Sequence, residues 1–179
     1  MKNPKCWSKI KSRISSYSPD EFLEIIKDLY DLSGQNKTFL ESRFLRASLD
    51  SLKPYKKIIE KALYPSITSN RGISLKDGKK AISDYKKSTK DDFGTMELML
   101  FYVECGHKFT CEYGDIDETF YNSLISVFGN LAELVKKYPD YKNVFYDRMK
   151  KIADESCKIG WGYDEIHSIF KECTQHGVV

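Results

Sequence analysis

Apolar residues recur every three to four positions along almost the whole chain, and the alternation that a β-strand needs is nearly absent. That periodicity predicts an all-α protein of about eight to nine antiparallel helices in one bundle or array. No sequence unit repeats at a fixed period, which excludes a regular solenoid.

The punctuation between the apolar stripes places the helices. Trp7, Ile10 and Ile14 give a first segment over Pro4 to Ser16. Ser18-Pro19-Asp20-Glu21 is a start signal, with Ser18 as cap, Pro19 at a position that needs no N–H, and Glu21 able to close a capping box. The helix that follows carries Phe22, Ile25, Ile26, Leu29 and Tyr30 and is expected to stop at Gly34. A third runs from about Asn36 to Ser51. A fourth starts near Lys53 and ends at Tyr64-Pro65, because residues before proline avoid the α region. Ser74 caps a helix to about Ser88. The most apolar stretch, about Asp91 to Tyr113, is expected to be central. Asp115 or Asp117 starts the next helix, which runs to Tyr138-Pro139; an eighth covers Asp140 to about Cys157, and a last one carries Ile166, Ile169, Phe170 and Cys173. With 179 residues, 1–179 reads as a single all-helical domain, with a possible subdomain boundary in the loop 65–73.

Charge is divided unevenly. Residues 1–90 hold 20 Lys+Arg against 10 Asp+Glu, and residues 91–179 hold 9 against 16. Such asymmetry points to a nucleic-acid, membrane or acidic-protein partner, or to complementary charge within the fold or between subunits. The sharpest local signal is SLKDGKKAISDYKKSTK. At 100° per residue Lys76, Lys79, Lys80, Lys86, Lys87 and Lys90 share one face, with Leu75, Gly78, Ala81, Ile82 and Tyr85 opposite. Lys53, Lys56, Lys57, Lys61 and Arg71 add charge nearby. A phosphate backbone is attracted to such a surface through counterion release, yet the solvated side of any amphipathic helix can look the same. No helix-turn-helix, RNP-like strand or zinc finger accompanies it.

Five cations precede Asp20 and flank Trp7, Ile10 and Ile14; the strip is short, and packing within the protein is expected before a membrane surface. The segment lacks the apolar stretch of a secretory signal, and Met96 to Val103 is too short to span a bilayer, so a cytoplasmic protein with no membrane span is expected. Five scattered cysteines without a CxxC exclude a disulfide framework and read as core thiols.

Glu104-x-x-His107 and Asp164-x-x-His167 have the spacing of carboxylate-bridged metal bundles, with Cys111 one turn beyond His107. A wheel places Glu104 with Glu97 and Lys108 on a polar strip, where a Glu104–Lys108 pair accounts for the first motif, so no metal ligand is assigned. Cys105 and His107 cannot face each other two residues apart, and Cys173 and His176 lie near a terminus. GxSxG, P-loop and GxGxxG signatures are absent. No catalytic residue, cofactor or small-molecule substrate is identifiable.

Two further stretches, GDIDETFY from Gly114 and IGWGYDE from Ile159, read as helix stop–start junctions, although Trp161, Tyr163, Tyr121 and Tyr113 could also border a peptide groove. With ELMLFYVECG before them, they resemble a family of small bacterial proteins carrying a domain of unknown function, over about Ser18 to the last helix. The resemblance implies a helical bacterial cytoplasmic protein and supplies no site residues. The function expected from these readings is a non-catalytic protein-interaction or scaffold module, with a protein partner or self-association. The alternative is nucleic-acid binding through the 76–90 lysine face, and a metal-binding bundle comes third.

Overall fold

The computed structural model describes residues 4–44, 49–66 and 72–175, and all of its regular structure is helical. Its helices are α1 (Pro4–Ile14), α2 (Pro19–Leu32), α3 (Gly34–Phe44), α4 (Leu49–Leu63), α5 (Leu75–Thr89), α6 (Asp92–Tyr113), α7 (Glu118–Lys137), α8 (Lys142–Ser156) and α9 (Glu165–Gln175), with a 3-10 turn at Pro139–Tyr141. The all-α expectation holds, and no strand occurs among the described residues. No helix among them is long and apolar enough to cross a membrane.

The chain groups into two compact units, Met1–Arg46 and Ala47–Val179. In the first, α2 begins with the capping box read from the sequence. The Glu21 N–H donates to Ser18 Oγ at 3.3 Å, and the Ser18 N–H donates to the Glu21 carboxylate at 2.8 Å. Donation to that carboxylate from the Ser18 N–H and the Ser18 hydroxyl holds it below its usual range. α2 stops at Leu32, two residues before the expected Gly34. Ser33 is the extended C-cap, and its Oγ accepts from Asn36 N–H, so Gly34 opens α3. Tyr30 donates to Glu41 across the α2–α3 pair at 2.8 Å, and Lys37 lies over the Tyr30 ring. Within this unit none of the described side chains is buried.

The second unit holds the core. α6 packs against α4, α5, α7 and α8, while α9 closes on α7 and α8. Its Met96, Leu98, Leu100, Tyr102 and Val103 are fully buried, the pattern of a helix enclosed on several faces, as its apolar sequence predicts. The 65–73 segment lies inside this unit; its residues 67–71 fall outside the described ones, and the Ser74 N–H donates back to Ala62 C=O at 2.8 Å. α4 starts a turn earlier than expected and carries Pro54 within it.

Gly78 sets how closely α5 seats. A Cβ there would lie 2.6 Å from Leu63 and 2.7 Å from the Tyr102 ring, so only glycine lets α5 approach α4 and α6 this far. Four tyrosines, Tyr85, Tyr102, Tyr121 and Tyr163, are completely buried with their hydroxyls bonded. Tyr85 donates to Asp91, Tyr102 pairs with Ser123 at 2.7 Å, and Tyr121 joins Thr110 at 2.6 Å, so each buries a large ring without an orphaned polar atom.

The polar strip expected on α6 is instead an ion-pair centre. Glu97 is buried, where Lys56 from α4 reaches it at 2.6 Å and Arg148 from α8 at 2.6 Å. Arg148 also grips Glu104 through two nitrogens, each at 2.7 Å. The Glu104–Lys108 pair is therefore not formed; Lys108 turns to Glu112 instead. The cysteines also differ from expectation: Cys105 and Cys173 are buried, whereas Cys6, Cys111 and Cys157 are exposed.

Candidate functional site

The lysine face lies where the helical wheel puts it. Lys76, Lys79, Lys80, Lys86, Lys87 and Lys90 are all exposed, and Gly78, Ala81, Ile82 and Tyr85 are buried beneath them. Ser74 caps α5, its Oγ accepting from Asp77 N–H at 3.4 Å. Lys90 ends the helix in the left-handed conformation, with φ 55°. Among the described residues only Lys80 of the six forms an ion pair, with Asp84 one turn on at 2.9 Å. That carboxylate holds the Lys80 ammonium above its ordinary value.

Three of these lysines do more than face water. Lys76, Lys79 and Lys86 form one wall of a groove between α5 and α7, as two hollows that meet at Lys79. Thr119, Asn122, Ser126 and Asn130 of α7 form the opposite wall, and Ile82, Met99 and Val127 lie in the floor. Among the described residues no carboxylate and no aromatic ring lines either hollow. The cations are thus set beside hydroxyl and amide groups that can donate further hydrogen bonds to an anion. A different groove, between α4 and α5, pairs Lys61 and Lys80 with Asp77 and Asp84 and has no such polarity.

The remaining cations read from the sequence do not extend this wall uniformly. Lys56 is committed to Glu97 and lies 5.0 Å over the Phe101 ring, so its charge is neutralised inside the fold. Lys57 and Lys61 are exposed, Lys53 has a partner of its own, and Arg71 is outside the described residues. In the first unit Trp7 and Ile10 are exposed and Ile14 is half-buried.

The metal-like spacings resolve differently from one another. Asp164 is exposed, while His167 faces Asp154 at 4.0 Å. Glu104 belongs to Arg148. His107, however, is buried and turned toward Glu155 of α8, its Nε2 lying 2.8 Å from the carboxylate. Cys111 stands on the same side with its Sγ 3.6 Å from that nitrogen. Burial, with the Glu155 and Glu112 carboxylates, pushes the Cys111 thiol up. Burial likewise raises Cys105, to about 12, which removes it as a nucleophile. Cys173 donates to Ala132 C=O, and His176 lies outside the described residues.

The aromatic groove does not form. Tyr121 and Tyr163 are core residues, whereas Trp161 and Tyr113 are about half exposed. GDIDETFY is a junction: Asp117 accepts from Phe120 N–H at 2.8 Å, and the Tyr121 hydroxyl bonds Asp115. IGWGYDE is a tight turn with Trp161 and Gly162 both left-handed, at φ 63° and 70°. No family model matches the chain, and neither a curated protein nor a solved structure matches it, so the family resemblance of these stretches rests on their motifs alone.

Proposed function

We propose that the protein binds the phosphate backbone of nucleic acid along the α5–α7 groove. The observation that carries this reading is the groove's asymmetry: lysines on one wall, uncharged donors on the other, and no carboxylate between them among the described residues. Lys76 to Lys86 covers about 15 Å of helix, a length over which a duplex presents several phosphates. Without an aromatic platform for stacking, a duplex suits the groove better than a single strand, and recognition is of backbone rather than sequence.

Fluorescence anisotropy of labelled duplex DNA and single-stranded RNA at about 50 and 200 mM salt tests it. Tight binding to duplex at low salt, weakening steeply at high salt, is the expected result. Replacing Lys76, Lys79 and Lys86, the three lysines of the groove wall, by glutamate should abolish that binding without lowering the melting temperature. Unchanged affinity in that variant ends the reading.

A second reading, a protein-interaction module that pairs with another copy of the chain, has its support in the first unit. Phe22, Leu29, Phe39 and Phe44 are 42%, 42%, 45% and 72% exposed, an apolar display of the kind that marks interfaces. Sedimentation across a wide concentration range should then show a mass that rises with concentration. A monomer throughout removes self-association.

A further inference from the structure

We propose that His107, Cys111 and Glu155 form a binding site for one thiophilic divalent cation of the zinc class. His107 and Cys111 stand one turn apart on α6, and Glu155 comes from the last turn of α8, which packs against it. Their Nε2, Sγ and carboxylate oxygen all lie within 4.8 Å of one another.

Two features separate this cluster from an ordinary histidine–carboxylate pair or a catalytic triad. In a nucleophilic triad the acid binds the ring nitrogen remote from the nucleophile. Here the thiol and the carboxylate both converge on Nε2, the arrangement of ligands round a common centre. The other nitrogen, Nδ1, faces the Tyr163 hydroxyl at 3.3 Å, and the two rings stack with an interplanar angle of 23°. That outer partner fixes the ring's orientation, as the hydrogen-bonding partners of metal-bound histidines do.

The dimensions fit. Bond lengths of about 2.3 Å to sulfur and 2.0 Å to nitrogen, at tetrahedral angles, put Sγ and Nε2 about 3.5 Å apart. They are 3.6 Å apart, and the 2.8 Å between Nε2 and the carboxylate needs to open by about half an ångström. A thiolate and a carboxylate cancel the charge of one divalent ion. A sulfur, nitrogen and oxygen donor set selects zinc or cobalt over magnesium or calcium. His107 is buried, whereas Cys111 is exposed and the Glu155 side chain is 40% exposed, so a fourth position opens to solvent for water.

Titrating the full chain with Co²⁺ under a non-coordinating reductant tests this. The expected result is a thiolate-to-cobalt charge-transfer band and tetrahedral visible bands that saturate at one equivalent and vanish on adding Zn²⁺. Cys111→Ser, at an exposed position that leaves the core intact, should abolish the charge-transfer band. Glu155→Gln should weaken affinity about tenfold or more, and Cys157→Ser should change nothing. Absence of the band at stoichiometric Co²⁺ in the unaltered chain, or its survival in Cys111→Ser, overturns the proposal.

Discussion

Arg148 on α8 places Nη1 2.6 Å from the buried Glu97 carboxylate on α6, and this pair ties the two helices together. The same guanidinium holds Glu104, so one side chain neutralises two acids. Among the described residues, Arg148→Met leaves Glu97 with Lys56 as its remaining cation. Removing one partner of a buried pair costs several kcal/mol, and about 2–3 kcal/mol is expected for this partly exposed arginine, measured by urea denaturation. A loss under about 0.5 kcal/mol would place the pair with ordinary surface contacts.

The same centre gives an acid limb. Burial pushes the Glu97 carboxyl up, but its bonds to Arg148 and Lys56 outweigh that and hold it below its ordinary value. A lowered folded-state value means the stabilisation is complete above the unfolded carboxyl's range, about pH 4–5, and is lost as pH falls through the folded value. Thermal melts should therefore decline below about pH 4.5, and the decline should be shallower in Glu97→Gln, which starts from a lower melting temperature at pH 7.

Gly78→Ala should destabilise the second unit by about 1–3 kcal/mol, because the added methyl meets Leu63 and the Tyr102 ring, neither of which has room to move. Alanine's better helix propensity offsets about 1 kcal/mol at most. A stabilised variant would show that α5 can lift from α6 without loss.

If the α5–α7 groove holds phosphates, acids placed on its uncharged wall should repel them. Asn122→Asp and Asn130→Asp are exposed changes that leave every lysine in place. Each should weaken duplex binding several-fold at about 50 mM salt, with an unchanged melting curve. Equal affinity in both would move the contact surface away from α7.

Ser18→Ala removes the acceptor of the α2 capping box. A cost of about 1 kcal/mol is expected, confined to α2. Hydrogen exchange should quicken for the amides of its first turn, with those of α6 unaffected.

Features set by neighbouring residues were legible in the sequence. The α2 cap, the α5 lysine face and the central place of α6 all follow from spacings within one helix. Features set by distant residues were not. Glu97 reads as solvated on a wheel because its partners Lys56 and Arg148 lie 41 and 51 residues away. His107 was visible beside Cys111, but the third group, Glu155, is 48 residues distant and on another helix. The stop near Gly34 was legible to within two residues, but Gly34 itself opens α3, whose first turn is capped by Ser33 Oγ accepting from Asn36 N–H. The groove's uncharged wall, from α7, has no signature of its own until α5 packs beside it.

The four fully buried tyrosines have a practical corollary. Both tryptophans, Trp7 and Trp161, stand largely in solvent at 61% and 52% exposure. Indole emission will therefore change little when the molecule melts. Loss of the interior will register instead in the near-ultraviolet dichroism of the phenol rings, whose fixed orientation disappears with the packing around them.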